Sequence, residues 1–342
     1  MRARFIPTGL AYSESFLSHA MPVGHPERPA RVSAIVDHLR ECGAWAAMAT
    51  WEPRPADDAT LELVHSAAHV AFIRDLIARG GGRIDADTGA SASSWEPAVR
   101  AVGAVVEAVD RVTNGSLANA YCVVRPPGHH ATPSQAMGFC LFNNVAIAAA
   151  WLLREQRAQR IAILDYDVHH GNGTQDVFFE DPRVLYVSTH QYPLYPGTGH
   201  WQERFDGTTV NIALPPGSGD DVYAGVVSRL VEPIVRRFNP DFTLVSLGFD
   251  AFWRDPLANL RLSLTGYAAL LQSALALANG RLVVALEGGY DLEALAHGSE
   301  MVCRLLHGEP PPADPLGPPP DQLPQEAVAP LLERMAELHQ LA

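Results

Sequence analysis

Short apolar runs alternate with longer segments of helical periodicity along most of the chain. Four runs have the length and composition of buried strands, and they span residues 120–124, 161–164, 242–247 and 282–286. Helix-like segments lie between or beside them, for example residues 145–157 and 222–238. Because strands that alternate with helices build parallel sheets, the pattern predicts an α/β fold. We expect a single large domain over residues 1–308, with a central, mostly parallel β-sheet flanked by helices.

The pattern changes near the end of the chain. Seven prolines precede Asp321 and one follows it within residues 309–325, and prolines interrupt both helices and strands. We interpret this segment as a linker or a surface wrap. Residues 326–342 then predict a C-terminal helix with an apolar stripe. Packing of that helix on its own domain is the first expectation, and contact with a second subunit, in a homo-oligomer, is the alternative.

Ionisable residues follow the run at 161–164 directly. Residues 165–174 read Asp-Tyr-Asp-Val-His-His-Gly-Asn-Gly-Thr. Asp167 and His169 are two positions apart in what should still be extended chain, so their side chains should project to the same side. Oxygen and nitrogen ligands together suit zinc. We therefore expect these two residues to bind one metal ion.

A second strand end supplies another possible ligand. Gly248, Phe249 and Asp250 follow the run at 242–247. Two carboxylates and one imidazole would leave a zinc coordination position open for water and substrate, as a catalytic site requires. The alternative is that all three residues are turn formers and helix caps. The combined set favours the metal site, since buried strands rarely end in so many ionisable groups without a metal or a partner.

Two further strand ends carry catalytic side-chain types. His129 and His130 follow a stiff Arg-Pro-Pro-Gly turn, and two adjacent imidazoles can differ in protonation and so act as base and as cation. Tyr290 ends a Glu-Gly-Gly-Tyr segment, and its hydroxyl could donate a hydrogen bond to an oxyanion. Taken alone, the histidine pair could be a surface feature and the Gly-Gly-Tyr segment a plain turn.

Together these segments resemble the zinc-dependent histone deacetylase family, of class II-like bacterial type, within the arginase and deacetylase fold. The resemblance covers roughly residues 10–308 and carries its motifs in the family's order. The matching segments are residues 25–29 (His-Pro-Glu-Arg-Pro), 125–131, 138–140, 165–174, 195–199, 248–250 with 255–256, and 287–290.

The resemblance implies a role for each matching position. The zinc ligands would be Asp167, His169 and Asp250, and the catalytic residues would be His129, His130, Tyr290 and Asp165, the last as the carboxylate behind His129. The acyl-lysine tunnel would be formed by Gly138, Phe139 and Tyr195, with Asp87 as a rim acid that anchors substrate. A potassium ion would lie near Asp165, Ser188 and Thr189, where ordinary turn hydrogen bonding is the alternative.

Two positions refine the expected substrate and class. Asn172 stands where nuclear, class I-like members carry Asp, as in class II-like members. Leu257 stands where vertebrate polyamine deacetylases place a Glu that selects a second amine, which argues against that particular gate. The resemblance thus implies a zinc-dependent amidohydrolase that removes acetyl or related acyl groups from a lysine side chain or a polyamine. An arginase-like binuclear hydrolase and a non-catalytic acyl-lysine binding protein are the alternatives.

Composition limits the partners. The chain has 38 acidic and 25 basic residues, a formal net charge of −13, which disfavours nucleic acid and favours cationic ligands. The four cysteines lack CxxC spacing, and neither a signal-peptide core nor a membrane-spanning run is evident. We therefore expect a cytoplasmic enzyme that acts on a small-molecule or peptide acyl-amine. The sequence leaves open the natural substrate, the oligomeric state and whether zinc or iron is the metal in vivo.

Overall fold

The structure, a computed structural model, describes residues 6–341. Its centre is an eight-stranded sheet in the order β2-β1-β5-β10-β9-β6-β7-β8, in which every neighbouring pair is parallel. A two-stranded antiparallel ribbon, β3-β4, lies apart from it. The prediction of an α/β domain with a mostly parallel central sheet flanked by helices is confirmed.

The strands and helices have the following bounds. The strands are β1 Gly9–Ala11, β2 Ala49–Trp51, β3 Gly81–Arg83, β4 Gly89–Ser91, β5 Asn119–Cys122, β6 Ile161–Asp165, β7 Val184–Gln191, β8 Thr209–Leu214, β9 Phe242–Leu247 and β10 Leu282–Leu286. The α-helices are α1 Ala30–Glu41, α2 Ala44–Ala47, α3 Asp58–Leu61, α4 Ala67–Ala78, α5 Trp95–Thr113, α6 Asn144–Arg154, α7 Asn172–Phe178, α8 Asp220–Val226, α9 Glu232–Phe238, α10 Leu264–Leu277, α11 Leu292–Leu306 and α12 Gln325–Leu338. A 3₁₀ turn, Glu14–Ser18, precedes α1.

Burial explains why the central strands are continuous apolar runs. Every residue of β6, β9 and β10 is buried, because helices cover both faces of a parallel sheet. Polar side chains mark where the helices begin. Asn143, Ser263 and Asp291 each accept a hydrogen bond from a backbone N–H in the first turn of α6, α10 and α11.

Some predicted boundaries were wrong by a few residues. β5 ends at Cys122 and α6 at Arg154, both before the predicted ends. The helix predicted over residues 222–238 is continuous but contains a π-helical turn, Val227–Val231, between α8 and α9. The predicted helix was drawn from apolar periodicity over the whole segment, which does not resolve a single wider turn inside it.

The proline-rich segment lies along the surface of the domain. The N–H of Leu323 donates to the carbonyl of Gly217, and the Trp253 indole donates to the carbonyl of Gly317. Helix α12 then buries Val328, Leu332 and Met335, as expected for packing on its own domain. The division of the chain into units at residues 308 and 325 stays a prediction. Among the helices of the described residues, none combines the length and the apolar character needed to cross a bilayer.

Candidate active site

Four neighbouring strands end at one place. β5, β10, β9 and β6 are adjacent in the sheet and parallel, so their carboxyl ends meet at one edge, where α/β sheets bind ligands. Their end segments line a cavity of about 420 Å³. Its walls include most of the predicted site residues: Asp87, His129, His130, Gly138, Phe139, Asp167, His169, Tyr195, Leu257 and Tyr290.

Three of the predicted metal ligands converge at the cavity floor. Ligand atoms of Asp167, His169 and Asp250 all lie within 4.8 Å of one another. The Nδ1 atom of His169 is 3.0 Å from Oδ1 of Asp167 and 3.3 Å from Oδ2 of Asp250. Both carboxylates are almost fully buried. The predicted site requires Asp250, which follows a different strand, to lie close to Asp167 and His169. The three side chains are close enough together to bind one ion.

The surroundings of this triad fit a divalent metal. Oδ2 of Asp250 is buried and accepts no hydrogen bond from any described residue, and such an atom is costly unless a cation neutralises it. Glycines leave space beside it: a Cβ on Gly248 would lie 2.0 Å from Oδ2 of Asp167, and one on Gly288 would lie 2.1 Å from Oδ2 of Asp250. Two carboxylates and one imidazole are a donor set that zinc accepts with a position left open.

The reason the first two ligands converge differs from the prediction. β6 ends at Asp165, and residues 167–169 form a bend rather than extended chain. The side chains meet because the N–H of His169 donates to Oδ1 of Asp167, at 2.9 Å, and closes a tight turn. The expectation of an extended segment was wrong, although the two ligands were correctly expected on one side.

The electrostatics of the triad favour a bound cation. Burial lowers the pKa of the His169 imidazole, but its hydrogen bond to Asp167 and the negative charges of Asp250 and Asp167 outweigh burial and raise the pKa to about 10. Burial and the charge of Asp167 raise the pKa of Asp250. Two buried carboxylates thus compete for one positive charge, and a divalent ion satisfies both.

The tandem histidines have opposite protonation. Burial lowers the pKa of His129, but the charges of Asp165 and Asp167 raise it well above its usual value; its Nδ1 lies 3.1 Å from Oδ2 of Asp165. Burial and the charges of His129 and His169 hold the pKa of His130 well below its usual value. These opposite pKa shifts favour a charged His129 and a neutral His130 at neutral pH, and the sequence analysis expected two adjacent imidazoles to differ in this way.

Tyr290 lies beside a buried arginine that the sequence analysis did not identify. The guanidinium carbon of Arg31 lies 5.0 Å from the centroid of the Tyr290 ring. Its Nε and Nη2 atoms donate to the carbonyls of Gly289 and Glu287, at 2.7 and 2.6 Å. Burial raises the pKa of the Tyr290 hydroxyl well above its usual value, although Arg31 opposes this. The phenol therefore stays protonated and can donate a hydrogen bond.

Two backbone contacts around the catalytic loops were also missed. The N–H of Gly288 donates to Oδ2 of Asp167 at 2.8 Å, and Oε2 of Glu287 accepts hydrogen bonds from the N–H groups of Gly128 and His129. The Glu287 carboxylate thus holds the histidine turn against the end of β10. Glu287 stands in a matched segment, but no local pattern reveals which distant N–H groups it binds.

The predicted substrate residues form the walls and mouth of the cavity. The ring of Tyr195 lies edge-on to His130, with centroids 5.1 Å apart, and the ring of Phe139 lies 6.0 Å from that of Tyr290. Phe139 has a positive φ of 68°, a strained backbone of a kind often found at ligand sites. Asp87 and Leu257 contribute to the same cavity, one acidic and one apolar.

The predicted potassium residues are only partly brought together. Ser188 is the register partner of Asp165 across β6 and β7. Because successive side chains of a strand point to opposite faces, the Thr189 hydroxyl lies away from that of Ser188, and only its backbone could share an ion. Oγ of Ser188 lies 2.8 Å from Nδ1 of His190, the ordinary alternative. The potassium site stays a prediction.

Two other histidines lie apart from the cavity. His65 and His69 are buried, and their ring centroids lie 4.8 Å apart. His69 lies on α4, whereas His65 precedes that helix, and neither lines the cavity.

The α/β fold and the cavity at its strand ends, with two buried Asp residues and a His that could hold a metal ion, are those expected of a hydrolase. A family model described as "Histone deacetylase domain" matches residues 25–306. That match covers most of the chain. The chain belongs to the histone deacetylase family.

Individual relatives support the same family assignment. The chain is 43% identical over 296 residues to a probable deacetylase of Archaeoglobus fulgidus, covering 84% of this chain and 82% of that protein. It is 37% identical over 320 residues to Histone deacetylase 5 of Arabidopsis thaliana, where the match covers 87% of this chain but 48% of the plant protein. The crystal structure of the HDA15 HD domain superposes with a TM-score of 0.88, at 33% identity and covering 98% and 96% of the two chains.

Proposed function

We propose that this protein is a zinc-dependent amidohydrolase that removes acetyl groups from lysine side chains. The observation that carries the proposal is the pairing of the Asp167, His169 and Asp250 triad with a neutral His130 on one cavity. A metal site without a neutral base would bind ligands but would hydrolyse amides poorly. Family membership favours this function over the arginase-like and the non-catalytic alternatives.

Asp167, His169 and Asp250 would hold the zinc ion. When bound, the ion supplies Lewis acidity, which polarises the amide carbonyl and makes a water molecule more acidic. His130, His129 and Tyr290 would transfer protons and stabilise negative charge.

His130 is the general base. Its Nδ1–H donates to Oδ1 of Asn172 at 2.8 Å, so the lone pair of Nε2 faces away from that contact and is free to take a proton from water. His129, kept cationic by Asp165, stabilises negative charge that develops beside it. A proton held by the pair then goes to the leaving amine, which departs as the free lysine side chain while acetate forms.

Tyr290 would donate its hydroxyl proton in a hydrogen bond to the carbonyl oxygen as negative charge develops there. Its position is fixed from both sides. Arg31 lies against the ring, and Oδ2 of Asp255 accepts a hydrogen bond from the Tyr290 N–H at 2.7 Å. A preorganised donor of this kind costs no rearrangement during the reaction.

The cavity mouth favours acetyl-lysine over acetylpolyamines. Aromatic walls formed by Phe139 and Tyr195 suit an aliphatic chain. Leu257 is apolar at the place where a carboxylate could select a second cationic amine. Asp87, an acid at the mouth, has a raised pKa because of burial and its neighbour Asp85, which weakens it as a fixed anion.

The test is a side-by-side rate comparison with purified, zinc-loaded protein. Acetyl-lysine peptide, acetylputrescine and acetylspermidine are assayed under the same conditions, with Tyr290→Phe and His130→Ala as inactive controls. We expect the peptide to have the highest kcat/KM. A higher kcat/KM for either polyamine would overturn the substrate choice, and hydrolysis of none of the three by the native protein would overturn the proposed activity.

A further inference from the structure

A second cluster of metal-ligand side chains lies outside the active site, between helices α1 and α11. Ligand atoms of His38, His297 and Glu300 lie within 4.8 Å of one another. His297 and Glu300 are three positions apart on α11, so they share one helix face. His38 comes from the last turn of α1. None of the three lines the 420 Å³ cavity.

The side chains of the cluster are in close contact with one another. Nε2 of His38 lies 2.7 Å from Oε2 of Glu300, and the rings of His38 and His297 lie edge-on with centroids 4.4 Å apart. The side chains of His38 and Glu300 are 20% and 11% exposed, enough for an ion to enter but largely removed from water. Two adjacent imidazoles and a carboxylate are ligands that zinc, copper and nickel accept.

The charges around the cluster also favour a cation. Three carboxylates, those of Glu300, Glu293 and Asp314, lie near enough to His297 to attract a positive charge to it. Nε of Arg304 binds Oε1 of Glu300 at 2.8 Å, which leaves Oε2 directed at the histidines. Such a second contact orients a ligating carboxylate.

We propose that His38, His297 and Glu300 bind one divalent transition metal ion of the zinc class, which crosslinks α1 to α11. Tetrahedral zinc, with bonds of about 2.0–2.1 Å, separates its ligand atoms by about 3.4 Å. Nε2 of His38 and Oε2 of Glu300, now 2.7 Å apart, would therefore move apart by about 0.7 Å on binding, and water would complete the coordination.

The crosslink would join the two helices that flank the catalytic tyrosine loop. Arg31, on α1, holds the carbonyls of Gly289 and Glu287. Helix α11 begins immediately after its N-cap, Asp291, which follows Tyr290 in the chain. Because both helices are already packed together, the ion stabilises the native pair without changing the tunnel. We expect the bound ion to raise the melting temperature of the protein. Turnover should be close to that of the same enzyme without an ion at the cluster.

The test counts metal ions per chain and does not depend on hydrolysis. Full-length protein is equilibrated with micromolar Zn²⁺, and bound zinc is measured by elemental analysis for the native chain, His297→Gln, Asp250→Asn and the double variant. We expect two zinc ions per native chain, one in each single variant and none in the double variant. The same replacement at a half-buried loop histidine, His200→Gln, serves as the control and should retain two.

The zinc counts distinguish failure of the second site from failure of the active-site metal proposal. If His297→Gln binds as many ions as the native protein, the second site is overturned. If Asp250→Asn binds as many as the native protein, the active-site metal proposal fails instead. Glu300→Gln gives a second test that preserves side-chain shape and should also lose one equivalent. In the Asp250→Asn background, zinc should raise the melting temperature, and adding His297→Gln should abolish that rise.

Discussion

The Nδ1–H group of His130 donates to Oδ1 of Asn172 at 2.8 Å, whereas Nδ1 of His129 faces the Asp165 carboxylate at 3.1 Å. A neutral amide behind one imidazole and a carboxylate behind the other give the two rings different protonation states. The identity of residue 172 therefore helps to set the pKa of the general base. An Asp at this position would stabilise the charged form of His130.

Asn172→Asp should move the acidic limb of the kcat/KM pH profile to higher pH. A carboxylate in hydrogen-bond contact raises the pKa of an imidazole by about 1–3 units, and His130 must be neutral to accept a proton. Activity should therefore be lost at a pH where the native enzyme still works, and recover as the pH rises. The profile is measured on an acetyl-lysine peptide, with Asn172→Ser as the neutral control. Superposable acidic limbs for the Asp and native enzymes would contradict the assignment of His130 as base.

Tyr290→Phe should lower kcat by about 100- to 1,000-fold, the usual effect of removing one oxyanion hydrogen-bond donor, with a much smaller change in KM. The ring and its contact with Arg31 remain, so substrate binding should persist. Steady-state kinetics on the same peptide check this. An unchanged kcat would exclude the phenol from the chemical step.

Gly288→Ala should weaken binding of the active-site metal. The added Cβ would lie 2.1 Å from Oδ2 of Asp250 and 2.6 Å from Oδ2 of Asp167, so both carboxylates must shift. We expect about 10- to 100-fold weaker affinity, as for other changes that misplace metal ligands, measured by competition with a chelator dye.

Gly225→Ala is the matched control for that substitution. On α8 the new Cβ would meet the flexible end of Gln325, 2.5 Å from its Nε2, which can move aside. Metal affinity should stay at the native value. Equal affinities for the native and Gly288→Ala proteins would show that this glycine is not needed for the ligand geometry.

The three candidate metal ligands could be selected from the sequence because each follows a buried apolar strand, and the ends of neighbouring parallel strands meet at one edge of the sheet. Sequence reasoning could not locate Arg31, whose hydrogen-bond partners are backbone carbonyls 256 and 258 positions away. Carbonyls carry no sequence signal. It also placed Asp167 and His169 on one side for the wrong reason, since a side-chain hydrogen bond to the backbone of His169 closes the turn. Local periodicity predicts elements, whereas contacts between loops depend on the whole fold.

Glu27→Gln should destabilise the protein by about 3–5 kcal/mol, the cost of leaving buried charges without their partner. The Glu27 carboxylate is fully buried and accepts hydrogen bonds from Nε and Nη2 of Arg125, at 2.6 and 2.9 Å, and from Nη1 of Arg31, at 3.2 Å. Urea unfolding measures the loss. The exposed pair Glu96 and Arg100, in contact at 2.6 Å, is the control: Glu96→Gln should cost less than about 1 kcal/mol.

His65 should make the protein less stable in mild acid. Its Nδ1–H donates to the carbonyl of Thr132, and its Nε2 accepts from the N–H of Asn143, both at 2.9 Å, an arrangement that requires the neutral ring. Burial and the charge of His69 lower its pKa from 6.5 to about 3. Between these values the unfolded chain binds a proton that the folded chain does not. Stability therefore falls as the pH drops from 6.5 towards 3, by up to about 1.4 kcal/mol per pH unit.

His65→Gln should remove that contribution, because an amide keeps a donor and an acceptor but does not titrate. We expect the free energy of unfolding, measured with urea between pH 7 and pH 4, to fall less steeply with acid in the variant, even if the variant is less stable at pH 7. The same substitution at His200 controls for loss of an imidazole as such. Parallel stability curves for the native and His65→Gln proteins would mean that His65 takes up its proton equally in both states, against the hydrogen bonds that hold it neutral.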